Sequence, residues 1–459
     1  MNLDAMLRAR AAAGKPIRVG LVGAGKFATM WLAQAGRTPG VHVLGIADLS
    51  PGRAHAALAE AGWPPERGQA RSPDDALKRG ATWITEDAGR LIAAGGVDVV
   101  VEATGDPAAG IRHARLACRH GRHVVMVSVE ADALAGPLLA RQAKAAGVVY
   151  SLAYGDQPAL IAELVDWARA SAFEVTAAGK GTLYMPEFRA STPETVWGHY
   201  GLTPGRAKES GLNAKMFNSF LDGTKSAIEM AAVANATGLE PAPDGLAFPP
   251  CGTRELAARL VPREAGGVLH HEGQVEVVSS RRRDGRDIDD HLRWGVYVVF
   301  EAPCDYVRRC FADYGIATDA SGRFAALWRP YHLIGLELGV SVASVALRGE
   351  ATGAPNAFVA DVAAVAKRDL GAGEVLDGEG GHAVWGRLMP AAASLAERAL
   401  PIGLAHGVEL KRSVAGGGLV RFSDVALDES SEAVAVRREM EAAFAPAAPS
   451  AARRAAARA

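Results

Sequence analysis

The first third of the chain alternates apolar runs with stretches of helical character. Ile17–Val22, Val41–Ala47, Val97–Glu102, His123–Ser128 and Val148–Leu152 are short runs rich in β-branched residues. Ala/Arg/Leu-rich stretches such as 54–61 and 108–119 lie between them. Apolar runs of strand length separated by helical patterns predict a parallel sheet with right-handed crossovers. Residues 151–350 lose that regularity. Helices are expected at 157–171 and 223–237, and strands at 173–178, 274–280 and 294–300. Pro241–Pro250 reads as a loop, and Arg281–Arg286 as a charged turn between strands. This pattern suits an α+β unit. Residues 355–430 change character again, with short strands and many glycines, and the Ala/Arg tail after 440 is expected to fray.

Composition narrows the picture. The 459 residues carry a net charge of −1, which excludes bulk attraction to nucleic acid or an acidic membrane. No run approaches the ~18 apolar residues of a membrane span, and the N-terminal stretch lacks the apolar core of a secretory leader. Cys118, Cys251, Cys304 and Cys310 form no CxxC pair and fit a reduced, cytoplasmic protein. A homo-oligomer is the base-rate expectation.

The strongest local signal is Gly20-Leu-Val-Gly23-Ala-Gly25-Lys26-Phe27-Ala28, between a strand and a helix. Gly23 allows a tight turn, Gly25 lets backbone approach a pyrophosphate, and Ala28 permits close helix–strand packing. Asp48 follows at the end of the second strand, where a carboxylate would bond ribose hydroxyls. Arg53, five residues on, offers a partner for a 2′-phosphate. The pattern predicts a dinucleotide, NADP or NAD. Thr104 and Gly105, after Val97–Glu102, are expected to face its nicotinamide half. Glu130, in Ser128-Val-Glu-Ala-Asp132, is read either as a further cofactor contact or as a helix-start carboxylate.

The second block must supply the chemistry. Its densest polar stretch runs from Asn213 to Asn235. Helical spacing places Asp222, Lys225 and Glu229 on one face. A lysine flanked by carboxylates can shuttle a proton or hold a carbonyl oxygen, and Asp222 with Glu229 could ligate Mg²⁺ or Mn²⁺. Lys180 sits in Gly179-Lys-Gly181, read as a tight connection after a strand and suited to an anion. Convergence of Lys180, Arg189, Arg206, Lys208 and Lys215 would mark an anionic small-molecule substrate. His332 is a candidate acid or base ahead of an apolar helix over 333–347.

Taken together, Gly23–Ala28, Ser128–Asp132, Lys215–Glu229 and the C-terminal block resemble the homoserine-dehydrogenase-like oxidoreductases that carry a C-terminal SAF domain. Within that group the chain is similar to the deoxyxylulose-phosphate reductoisomerase-like enzymes. The resemblance spans about residues 10–430, and Asn218-Ser-Phe-Leu-Asp-Gly-Thr-Lys225 is its most specific part. The SAF likeness rests on Val365–Leu376, Leu400–Leu404 and Gly416–Val420. The resemblance implies a catalytic cleft lined by Lys215, Asp222, Lys225 and Glu229.

The expected architecture is α/β: a Rossmann-type parallel sheet over 1–155, an α+β catalytic and dimerisation domain over 156–350, a small β-rich SAF-like domain over 351–430, and a helical, low-complexity tail over 431–459. The expected function is an NAD(P)-dependent oxidoreductase that rearranges and reduces a phosphorylated keto-sugar such as 1-deoxy-D-xylulose 5-phosphate. Lys180, Lys215, Asn218, Asp222, Lys225, Glu229 and His332 form its catalytic set. The alternatives are simple oxidation of homoserine, a sugar acid or a hydroxy acid, and a non-catalytic dinucleotide-binding regulator.

Overall fold

The computed structural model describes residues 2–444. Strands β1 (Ile17–Val22), β2 (Val41–Ala47), β3 (Trp83–Thr85), β4 (Val99–Glu102), β5 (His123–Met126) and β6 (Tyr150–Leu152) form one sheet in the order β3-β2-β1-β4-β5-β6. Every pairing in it is parallel. The strands are nearly all buried, as covering helices on both faces require. This doubly wound sheet is the expected fold. The strand order reverses between β1 and β4, and a ligand crevice in such sheets opens at that point, beyond the carboxyl ends.

A second sheet contains β7 (Glu174–Thr182), β8 (Glu240–Pro241), β9 (Gln274–Ser279), β10 (Val296–Glu301) and β11 (Phe324–Arg329), ordered β11-β10-β7-β9-β8. β7 runs parallel to β9 and antiparallel to β10. Lys180 therefore lies inside a strand, not in a connection after one. Its flanking glycines have a steric role. A Cβ on Gly179 would sit 1.8 Å from the Glu276 carbonyl oxygen, and one on Gly181 would sit 1.9 Å from that of Leu292.

The chain between β7 and β9 contains the helix Thr224–Thr237, which joins all parts of the molecule. It packs on the helices Val129–Ala145 and Gln157–Ala170, on β9, and on β12 (Ala360–Ala366) and β14 (Val384–Pro390). Nearly all its side chains are buried. β12 and β14 pair antiparallel. β13 (Val375–Asp377), β15 (His406–Leu410) and β16 (Val425–Ala426) form a three-stranded sheet. The C-terminal block is thus β-rich, as its short strands and glycines predict.

Two segments depart from expectation. Residues 334–338 form a turn, and the helix begins only at Gly339; Gly339–Arg348 packs against the first sheet. The helix Glu432–Phe444 folds back on the helices Pro107–Arg119 and Val129–Ala145, with Met440 fully buried. Fraying therefore does not begin at 440, because an apolar stripe of this segment is covered; residues after 444 lie outside the described range. Among the described residues the four cysteines are free, and no helix is long and apolar enough to cross a membrane.

Candidate active site

The crevice begins at Gly23. Its φ of +95° lies in the left-handed region, and a Cβ there would sit 2.5 Å from the Ala103 carbonyl oxygen. Only glycine lets the end of β1 pass so close to the end of β4. Gly25 then caps the helix Lys26–Ala35, and a Cβ on it would meet nothing within 4 Å. Open space over a helix N-terminus with unpaired N–H groups fits a pyrophosphate. Lys26 is exposed, Phe27 is half-buried, and Ala28 is fully buried against the sheet.

Asp48 directly follows β2 and is already hydrogen-bonded. It accepts from the Ala24 N–H at 2.8 Å, the Ser50 N–H at 2.9 Å and Arg53 Nε at 3.1 Å. The carboxylate therefore holds the glycine turn and anchors Arg53, whose side chain is largely exposed. At the end of β4, the buried Glu102 carboxylate accepts 2.5 Å hydrogen bonds from both Thr104 Oγ1 and Ser128 Oγ. The Gly105 N–H donates to Ser128 Oγ at 2.9 Å. Glu102 thus fixes the loop that carries Thr104 and Gly105. Its position at the end of a buried strand is visible in the sequence; the convergence of two hydroxyls on it is not.

Opposite this edge stands Lys225. Its ammonium pairs directly with Glu130, in the first turn of the helix after β5. Burial works to lower the Lys225 pKa, but the carboxylates of Glu130, Glu379, Glu229 and Asp156 outweigh it and raise it. Lys225 is therefore held as a cation. Burial raises Asp156, and the nearby Glu229 charge adds to this. Burial likewise raises Glu379, reinforced by Glu130. One step deeper, Lys180 pairs with Glu229 and donates to Gln157 Oε1 at 2.9 Å. His332 Nδ1 lies 2.7 Å from the Trp294 carbonyl oxygen, and its charge bears on Asp156.

Several expected groupings do not form. Asp222 is not on the face of Lys225 and Glu229. It ends the preceding helix, Ala214–Leu221, and the left-handed Gly223 separates it from the helix Thr224–Thr237. Its carboxylate contacts Lys367 Nζ at 2.8 Å and accepts from the Thr224 N–H at 2.9 Å. Asp222 and Glu229 each carry an ammonium partner already, so this donor set does not fit a divalent cation. Among the described residues no group of three or more His, Cys, Asp or Glu side chains could hold one.

Lys215 donates to the Asp377 carbonyl oxygen at 2.8 Å. Asn218 is fully buried, accepting from Ser191 Oγ and donating to the Ser191 and Gly380 carbonyls. Both fasten this helix to the C-terminal block and do not line the Lys225 cluster. The five cations expected to converge are dispersed: Lys180 is spent on Glu229, Lys215 on backbone, Arg189 lies over the Trp385 ring, and Arg206 and Lys208 lie on a short exposed helix. Asp156, Gln157 and Glu379 at the cluster, and Lys367 on Asp222, were not expected: no motif marks them, since tertiary packing brings them in from the start of the helix Gln157–Ala170 and from the C-terminal block.

A family model described as "Oxidoreductase DRL, catalytic domain" matches residues 155–338, the segment that holds Asp156, Lys180, Lys225 and Glu229. No curated protein matches. Among solved structures, a scyllo-inositol dehydrogenase from Lactobacillus casei with NAD(H) and scyllo-inositol is 13% identical. That match covers 62% of this chain and 74% of that one, with a TM-score of 0.33. The WlbA dehydrogenase from Bordetella pertussis is 20% identical over 37% of this chain and 44% of its own, with a TM-score of 0.26. An NAD binding oxidoreductase from Klebsiella pneumoniae is 20% identical over 38% and 47%, with a TM-score of 0.28. The chain spans about half the length of the first solved structures it matches. The oxidoreductase catalytic-domain model thus covers the segment that follows the Rossmann-type sheet and carries the Lys225 cluster.

Proposed function

We propose that this chain is an NAD(P)-dependent dehydrogenase that oxidises a hydroxyl of a small hydroxy acid, sugar acid or polyol and leaves the carbon skeleton unchanged. The observation that carries this reading is the Lys225–Glu130 ion pair, which sets a lysine ammonium at the carboxyl end of β5, beside the crevice. Rearrangement of a keto-sugar phosphate asks for a cation gripping two adjacent oxygens. Asp222 and Glu229 are each paired with a lysine and are not free to hold it.

The bound nicotinamide supplies the hydride acceptor. Lys225 donates to the substrate oxygen and stabilises negative charge as it develops there. The leaving hydroxyl proton passes to Lys225 as Lys225 gives one to a neighbouring carboxylate. Asp156 and Glu379, both raised by burial, are suited to hold that proton. The balance is one alcohol and one oxidised nicotinamide giving one carbonyl compound, one reduced nicotinamide and one proton.

The test is to incubate the purified chain with NAD⁺ or NADP⁺ and a panel of homoserine, sugar acids, hydroxy acids and polyols. The reverse reaction is assayed with 1-deoxy-D-xylulose 5-phosphate. Reduced nicotinamide formed together with a ketone or aldehyde of unchanged skeleton supports the reading. A rearranged skeleton, or cofactor binding with no turnover of any compound, overturns it.

A further inference from the structure

A separate cavity of about 470 Å³ lies where the second block meets the C-terminal block. Its walls include Arg189, Asp244, Lys367, Trp385 and Arg387. No residue of the Lys225 cluster lines it. Lys367, at 3% side-chain exposure, commits its ammonium to the Ser191 and Gly381 carbonyls and to Asp222. The two arginines differ from it. The Arg189 guanidinium lies 4.8 Å from the centre of the Trp385 ring; it also neighbours the Tyr184 hydroxyl, and its hydrogen bond to the Leu246 carbonyl is long at 3.5 Å. Arg387 donates only to the Met389 sulfur, and its Nε is buried without a partner.

We propose that this cavity is a second small-molecule site, which holds the carboxylate or phosphate of an anionic ligand between Arg189 and Arg387 with the rest of the ligand against Trp385. Paired guanidinium forks suit either oxyanion. The site is wired to the catalytic helix at two points. Gly386, between Trp385 and Arg387 on β14, donates its N–H to Thr224 Oγ1 at 2.8 Å. Lys367 holds Asp222, two residues before that helix. The anionic group can belong to the dehydrogenase substrate or to a separate effector, and both present the same oxyanion chemistry.

The test is calorimetric titration of the full chain with inorganic phosphate, without turnover, so its outcome does not depend on the dehydrogenase reading. A saturable event is expected that weakens about tenfold in R387Q and R189Q. It should persist in R53Q, which alters only the dinucleotide crevice, and tighten in D244N, which removes the one acidic wall. A gain in D244N cannot come from misfolding. Equal phosphate affinity in the parent, R387Q and D244N, or no saturable event, overturns the proposal. Repeating the titration with NADP⁺ and an active hydroxy compound separates the sources. Competition assigns the anionic group to the substrate, and additive binding assigns it to a second ligand.

Discussion

The Lys225 ammonium meets the Glu130 carboxylate across 95 residues of chain. One partner belongs to the buried helix of the second block and the other to the helix that follows β5. This contact joins the Thr224–Thr237 helix to the helix after β5, and the proposed function rests on that junction.

Glu130 is the closest of the four carboxylates that keep Lys225 protonated. In E130Q the Lys225 pKa falls, because one source of its elevation is gone while burial still opposes the charge. The basic limb of the pH–rate profile is expected to move to lower pH, with kcat reduced about 10- to 100-fold. A steady-state pH profile of the variant checks this, and an unmoved basic limb counts against Lys225 as the titrating group.

Arg53 is tethered to Asp48, just past the end of β2, and is largely exposed. R53Q is expected to raise KM for NADP⁺ about tenfold and leave KM for NAD⁺ nearly unchanged. Asp48 should not be substituted for this purpose, since it also holds the Ala24 N–H and the glycine turn. Paired KM measurements with the two cofactors decide the point.

How much of this was legible in the sequence depends on whether a feature is local. Gly23, Gly25, Ala28 and the strand runs announce the first sheet because periodicity and turn chemistry are short-range properties. Lys225 and Glu229 share a face as helical spacing predicts. Asp222 does not, because Gly223 ends one helix and starts another, and spacing alone cannot reveal a left-handed joint inside a polar run. Glu379 and Asp156 stand beside Lys225 only through tertiary packing. Lys180 looked like a loop cation because its glycines resemble a turn. They are small because the neighbouring backbones press against β7.

Asp132 and Glu276 are two of the buried carboxyls that bear on stability near neutrality. Burial pushes Asp132 and Glu276 up to about 7 each. Both bind a proton more tightly folded than unfolded, where they titrate near 3.8 and 4.5. Their stabilising contribution is therefore complete below about pH 4 and is lost as the pH rises towards 7, by up to about 1.4 kcal/mol per pH unit for each group. Urea unfolding at pH 5 and pH 8 should show lower stability at pH 8. D132N, which keeps an acceptor for the Tyr150 hydroxyl, should flatten that slope. An equal slope in D132N would contradict the assignment.

Arg437 fastens the C-terminal helix. It is fully buried and donates to both Asp361 oxygens at 3.0 and 2.6 Å, with Glu441 as a further partner. R437A leaves Asp361 buried and unpaired, and a loss of about 3–5 kcal/mol is expected. Equilibrium unfolding in urea measures it. A loss under about 1 kcal/mol would place this helix outside the cooperative unit.

The central claim is that Lys225 acts on the reacting oxygen at the edge of the crevice. Single-turnover hydride transfer in K225M, measured alongside cofactor affinity, tests it most directly. The account predicts a rate lowered about 10²- to 10⁴-fold with the NAD(P) dissociation constant unchanged. A folded K225M enzyme that transfers hydride at the parental rate would contradict it.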